Sequence, residues 1–437
     1  MPSLWQVKES KTLEENVYYR RAEAGLDVYV LPKKGYQKKY AIFSTHFGSI
    51  DSRFRVAGGE EIAVPDGVAH FLEHKLFEDE RGNVFDRFAE RGASSNAFTS
   101  FTHTTYLFSS TAYFEENLQL LLDFVQEPYF TTESVSKEQG IIEQEIRMYE
   151  DNPQWRIFFN MLGCLYHVHP VRIDIAGTVE SIRLITPEVL YQCYNTFYHP
   201  ENMAVFIVGD LDPERIGEQV IKNVDSRGYQ PLGGIERIYP DEPSTVKEHR
   251  IVETMVVSEP LFHLGFKDPH VTDLTQQELL KREIVTEILL DTMFGNSEPL
   301  YNELYEDGLI DEHFNFGFTA ETTYGYTLLG GETKDPEQLY ERIIEGINRI
   351  KKAGIDKESF ERHRRSAFGD FLRRFNSLEF IANNYLAYRF RGIDFLSIPE
   401  VLHKITIDDV QERLFEHLED DNHAVSIIKP GETKVEA

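Results

Sequence analysis

The chain has 437 residues, with 74 Asp+Glu against 45 Lys+Arg and a formal net charge of −29. Its content of 41% hydrophobic and 13% aromatic residues is that of a folded protein with a large core, not of a disordered one. That charge argues against a nucleic-acid binder, which needs a basic face, and against docking on an anionic membrane. No run of eighteen apolar residues offers a membrane helix, and the first ten residues hold no apolar signal core. Two cysteines, Cys164 and Cys193, without C-x-x-C spacing, read as ordinary thiols of a reducing cytosol, so a cytoplasmic location is expected.

Taken in chain order, apolar runs predict strands at 28–31 and 41–47. A helix follows around residue 70, with a start signal in Pro65-Asp66-Gly67. Further on come a strand at 106–109, helices at 117–126 and 133–149, and a strand at 205–208. A stretch rich in Gly and Pro, residues 227–244, reads as a linker. Beyond it are a helix at 275–292, a strand at 325–329 and a helix at 336–353. The mixture is an α+β plan with helices packed on sheets.

The chain also repeats itself. Ile185-Thr186-Pro187 leads into Asn202-Met203-Ala204-Val205, and Ile405-Thr406-Ile407 leads into Asn422-His423-Ala424-Val425, an offset of 220 in both parts. Two related domains are therefore expected, 1–226 and 245–437, joined by the linker. The offset carries His70 onto Leu290, so one metal site per chain is expected, in the first half.

That site is signalled by His70-Phe71-Leu72-Glu73-His74. Histidines four apart share one helix face and can hold one zinc ion at about 2.0–2.1 Å each. Glu73 between them can reach water on the same metal, the arrangement of the inverted zinc-peptidase motif. A catalytic zinc needs a third protein ligand. The helix at 133–149 offers Glu138, Glu143 and Glu145. Glu138 and Glu145 are seven apart on one face, whereas Glu143 points roughly the other way. Of the remaining histidines, His103, His167, His169 and His199 lie in polar or turn contexts and are not expected to bind metal.

Together, His70-x-x-Glu73-His74 and Glu138-x6-Glu145 resemble the pitrilysin family of zinc metallopeptidases, which includes insulinase-like and mitochondrial processing peptidases. Arg91-Gly92-Ala93-Ser94-Ser95-Asn96-Ala97-Phe98-Thr99, His169-Pro170 through Gly177-Thr178-Val179-Glu180-Ser181-Ile182, and Tyr198-His199-Pro200-Glu201-Asn202-Met203 extend the likeness over essentially the whole chain. The resemblance implies two domains of one fold, each a largely antiparallel sheet flanked by helices. It implies zinc on His70, His74 and Glu145, Glu73 as general base, and Glu138 as a carboxylate that orients a ligand. A peptide substrate would add as an extra strand along Asn96, Ala97 and Phe98. Acidic residues lining a substrate chamber would favour basic peptides. The expected activity is a zinc endopeptidase; the alternative is a non-catalytic or partner-dependent subunit.

One departure from the pattern concerns partners. Complete family members carry an Arg and, a few residues on, a Tyr in the second half; here Tyr305 and Asp311 stand in those places. An acid there cannot donate to an oxyanion at neutral pH. The resemblance thus points to a heterodimer with a paralogue that carries the Arg/Tyr pair, with a homodimer as the rival.

Overall fold

A computed structural model describes residues 5–80, 82–419 and 421–431. The chain forms two compact α+β units. The first is built on a seven-stranded sheet of β1 (Gln6–Ser10), β2 (Glu15–Arg21), β3 (Asp27–Pro32), β4 (Lys39–Thr45), β5 (Ser94–Thr99), β6 (Thr104–Ser110) and β7 (Met203–Gly209), in the order β1-β2-β3-β7-β4-β6-β5. Only β3 and β7 run parallel. Its helices include α1 (Val68–Leu76), α2 (Phe114–Val125), most of α3 (Thr132–Glu150) and α5 (Pro187–Phe197); α4 (Pro153–Leu165) belongs to the second unit.

That second unit holds β8 (Arg250–Met255), β9 (Leu261–Lys267), β10 (Asn315–Ala320), β11 (Gly325–Glu332) and β12 (His423–Pro430), in the order β8-β12-β9-β11-β10. It also holds α6 (Gln276–Phe294), α7 (Pro336–Ala353), α8 (Lys357–Arg374) and α10 (Ile407–His417), while α9 (Leu378–Phe390) lies in the first unit. Here too a single pair, β8 and β12, runs parallel. Five consecutive strands of the first sheet, β3-β7-β4-β6-β5, repeat this order strand for strand. The paired helices α5 and α10 lie 220 residues apart, as the sequence repeat requires.

The units are not two contiguous stretches divided at 227–244. Residues 147–172, with α4, belong to the second unit, and residues 374–396, with α9, belong to the first. The cause lies in the central strands. All seven residues of β7, Met-Ala-Val-Phe-Ile-Val-Gly, are buried, and so are all seven of β9. A strand buried on both faces needs a covering layer on each side. On one face of the first sheet α9 supplies it, through Tyr385 against Tyr29 and Phe206 at ring distances of 4.9 and 4.6 Å. Arg389 then ties α9 to Asp27 and donates to Tyr29 Oη at 3.0 Å. In the second unit α4 covers the sheet so closely that a Cβ on Gly265 would lie 2.5 Å from Met161 Sδ. The expected linker is only partly a linker: Ile235–Arg237 pairs as a strand with Arg53–Val56.

The predicted strands at 28–31, 106–109, 205–208 and 325–329 all fall inside observed strands, while the one at 41–47 stops at Thr45. Predicted helices at 133–149 and 336–353 match α3 and α7 within a residue or so; α2 starts three residues before its prediction. No helix among the described residues is long and apolar enough to cross a membrane. Cys164 and Cys193 are free and buried, and burial pushes the Cys164 thiol up to about 11.

The second unit is locked by a buried carboxylate. Asp268 accepts from Arg282 Nε at 2.7 Å and Nη2 at 2.8 Å, and also from Arg413, whose Nε donates to Thr286 Oγ1 at 2.8 Å. Burial opposes the charge on Asp268, but the two guanidinium groups outweigh it and hold its carboxyl well below the ordinary range. A depressed carboxyl adds stability above its unfolded pKa and loses it as pH falls toward the folded one. Asp268→Asn is expected to cost about 3–5 kcal/mol at pH 7, because it leaves buried guanidinium groups uncompensated. Urea melts should show that deficit shrinking as pH falls below about 4, where the carboxyl of the unfolded chain begins to protonate while the native one is still ionised.

Candidate metal centre

The site begins with how α1 is held. Gly67, immediately before the helix, has φ 88°. A Cβ there would lie 2.4 Å from the carbonyl oxygen of Ala176, and one on Gly177 (φ 76°) would lie 2.6 Å from that of Asp66. Two backbones therefore cross at a distance only glycine permits, in a conformation glycine favours. Ser181 Oγ donates to the Asp66 carbonyl at 2.8 Å, and Thr178 and Ser181 close a capping box. Thus the Gly177-Thr178 to Ser181-Ile182 segment clamps the start of the helix that carries the two histidines. On its other side α1 buries Val68, Ala69, Phe71, Leu72 and Leu76 in the core.

His70 and His74 then stand one turn apart, with ring centroids 4.6 Å from each other. α3 brings Glu145 to them: His74 Nε2 is 3.4 Å from one carboxylate oxygen and His70 Nε2 is 3.7 Å from the other. Donor atoms about 2.0–2.2 Å from one tetrahedral ion lie roughly 3.4 Å apart. These separations fit a shared metal and exceed good hydrogen-bond length. Among the described residues, His70, His74 and Glu145 form the one such group, with ligand atoms within 4.8 Å of one another. The other ring nitrogen of His70, Nδ1, is buried with no hydrogen-bond partner among the described residues. Burial and the neighbouring His74 lower its pKa to about 3, so the ring is neutral, the form a metal requires.

Glu138, two turns back on α3, is buried and lies 3.0 Å from His74 Nδ1. A carboxylate accepts, so Nδ1 carries the proton and Nε2 presents its lone pair toward Glu145 and His70. Burial works against a charge on His74, but the Glu138 hydrogen bond and the charges of Glu73 and Glu145 prevail and raise its pKa. Glu143 goes elsewhere, pairing with Arg183 at 3.1 Å. The seven-residue spacing therefore separates the three glutamates as helix geometry requires.

Glu73 accepts from Thr99 Oγ1 at 2.8 Å. Burial raises its proton affinity, against the hydrogen bond from Thr99. Thr99 ends β5, the outermost strand of its sheet, and among the described residues no strand pairs with its outer edge. Asn96 on that strand is exposed, while Ala97 and Phe98 are half-buried. Asn96 and Ala97, with Glu73, His74 and Glu138, line a cavity of about 480 Å³; Phe98 is not among its lining residues. The Glu73–Thr99 hydrogen bond was not legible in the sequence, because it links residues 26 apart across two elements.

Of the histidines not expected to bind metal, three have side-chain partners, while His167 Nε2 is buried without one among the described residues. His103 is bonded to Ser100 at 3.0 Å, His169 to Thr323 at 3.2 Å and His199 to the Gln230 carbonyl at 2.8 Å. The backbone N–H groups of His167, Val168 and His169 all donate to Glu242.

Known families and proteins resemble this chain over nearly its whole length. The family described as "Insulinase (Peptidase family M16)" matches residues 59–179, and "Peptidase M16 inactive domain" matches residues 184–367. The chain is 48% identical over 423 residues to "Uncharacterized zinc protease YmfH" of Bacillus subtilis (strain 168), covering 97% of this chain and 98% of that one. Its structure is similar to that of a putative M16-like peptidase from Alicyclobacillus acidocaldarius, with a TM-score of 0.93 and 40% identity over 97% of this chain and 100% of that one. Pitrilysin shares the fold, with a TM-score of 0.74 at 16% identity over 99% of this chain and 47% of that one.

Metal analysis separates the two faces of α3. About one zinc per chain is expected, lost in His70→Ala, His74→Ala and Glu145→Gln and retained in Glu143→Gln. Retention in Glu145→Gln with loss in Glu143→Gln would mean the ligand has been assigned to the wrong face.

Proposed function

The chain belongs to the M16 insulinase family of peptidases, and we propose that it is a zinc-dependent endopeptidase hydrolysing peptides or short unfolded polypeptides. The observation that carries this reading is the convergence of two imidazole nitrogens and one carboxylate within 4.8 Å, beside a half-buried glutamate that the three do not need. That donor set, two His and one Glu, is one used by catalytic zinc. His70, His74 and Glu145 would hold the ion. When bound, zinc would polarise the scissile carbonyl and make a water acidic enough to attack at neutral pH.

The chain's own groups do the rest. Glu73 accepts the proton of the attacking water and returns one to the leaving amine. Thr99 holds its carboxylate in place, and burial favours its keeping the proton between the two transfers. Glu138 fixes the tautomer and orientation of His74. The free edge of β5, at Asn96, Ala97 and Phe98, offers backbone N–H and C=O groups to an extended peptide, which would add as a further strand.

A partner-dependent reading rests on Tyr305 and Asp311. Tyr305 is half exposed on the helix Pro299–Glu306, and Asp311 Oδ1 accepts from the His313 backbone at 2.9 Å. Neither supplies the cationic donor that the family resemblance places there. A paralogue carrying the Arg/Tyr pair would complete the substrate grip as a heterodimer.

Glu73→Gln is expected to keep its zinc and lose activity by about 10²–10⁴-fold, since an amide cannot take up the proton. Full turnover by a zinc-replete Glu73→Gln protein would remove Glu73 from this role. For the partnership, the chain assayed alone should cleave poorly and gain activity as the paralogue is titrated in. Full activity alone, unchanged by the paralogue, excludes the division of labour.

A further inference from the structure

We propose that Gly48 and Thr104 are positioning residues for the general base: they dock the turn between β5 and β6, and the docked turn sets the Thr99 hydroxyl that holds the Glu73 carboxylate. The inference rests on the endopeptidase reading and deepens its account of Glu73. It starts from a weak point in the site. Glu73 is held from outside α1 by Thr99 Oγ1 at 2.8 Å. Thr99 is the last residue of β5, and β5 is the outermost strand of its sheet. Strand ends at a sheet edge open most readily. A base that must stay within about 2.6–3.2 Å of the water it deprotonates cannot depend on a loose residue.

That strand end is pinned to an earlier segment of the chain. The Ser49 and Ile50 N–H groups donate to the carbonyls of Ser100 and Phe101, both at 3.1 Å. The fit leaves no space at Gly48: a Cβ there would lie 2.3 Å from the Phe101 carbonyl oxygen and 2.4 Å from the Thr102 nitrogen. Both are backbone atoms, so the approach needs a glycine. Gly48 is itself fixed. Its N–H donates to the buried Asp51 at 2.9 Å, and Asp51 also takes Tyr239 Oη at 2.8 Å and Arg237 Nε at 3.0 Å. Thr104 makes the second tie. It is fully buried, sits opposite Thr99 across the β5–β6 ladder and donates to the Phe47 carbonyl at 2.9 Å. A hydroxyl has one proton, and the Phe47 carbonyl takes it. Thr99 Oγ1 packs 3.4 Å from Thr104 Oγ1 and gives its own proton to the carboxylate. Inside the turn, the Ser100 N–H donates to the His103 carbonyl at 2.8 Å. Phe47, Gly48, Phe101 and Thr104 thus fix Thr99, and through it Glu73, while none of the four is a candidate ligand.

The test compares Gly48→Ala, Thr104→Val and Thr104→Ser as zinc-loaded chains cleaving an internally quenched peptide. Gly48→Ala and Thr104→Val should lower kcat about ten- to a hundredfold, the scale of a small misplacement of a catalytic group, and keep about one zinc per chain. Thr104→Ser, which retains the hydroxyl, should stay within about threefold of the parent. Added to Glu73→Gln, neither damaging change should lower the residual rate further, because effects that act through one group do not add. Gly163→Ala, at a glycine with open space around it, should leave kcat unchanged. Parent-like turnover in both damaging variants, loss of zinc, or losses that multiply with Glu73→Gln would overturn the proposal. If Gly48→Ala does not fold, the Thr104→Val and Thr104→Ser pair decides. If the parent chain itself cleaves nothing, the peptidase reading fails and crystal structures of the two damaging variants decide. A Glu73 carboxylate displaced from Thr99 upholds the docking, and one still bonded to it refutes it.

Discussion

Two peptide backbones cross at Gly67 and Gly177 more closely than any side chain allows, and the metal centre is built on that crossing. It sets where α1 begins. Because the rise and turn of a helix are invariant, setting its start also sets where His70, Glu73 and His74 point. The Ser181 hydrogen bond to Asp66 and the buried side of α1 keep the helix from sliding or turning. A loop segment a hundred residues downstream thus does the positioning, while no atom of it is a candidate ligand.

Burial and charge divide the labour of four acidic side chains. Glu145 faces two imidazole nitrogens, Glu138 orients one of them, Glu73 waits on a hydroxyl hydrogen bond, and Glu143 is neutralised by Arg183. The differences arise from environment and not from residue type. A carboxylate kept in a dry site with a single donor binds its proton more readily, whereas one facing a cation or metal stays ionised. Helical spacing puts Glu143 on the wrong side by two residues, so a fourth acid close in sequence does not compete for the ion.

The architecture follows from central strands that are buried on both faces. β7 and β9 each need two covering layers, and the helices next to them in sequence supply only some of that cover. The chain closes the deficit by exchange, with α4 sent to the second sheet and α9 returned to the first. Tyr29, Phe206 and Tyr385 make that return specific, and Arg389 joins Tyr19 and Arg21 in satisfying the buried carboxylate of Asp27.

Local pattern was enough to identify much of this protein. The four-residue histidine spacing, the seven-residue glutamate spacing and the exclusion of Glu143 depend only on helical periodicity, a property of short range. The offset of 220 is written in the residues and reappears as α5–β7 and α10–β12. What the pattern could not contain was any choice among distant partners. Residues 147–172 and 374–396 look like parts of their own halves, since an amphipathic helix states that it has an apolar face and not which sheet will cover it. The hydroxyl that holds Glu73 and the glycine pair that starts α1 likewise join elements far apart in sequence. Their contacts exist only once long-range packing has brought the elements together, so only the tertiary structure decides them.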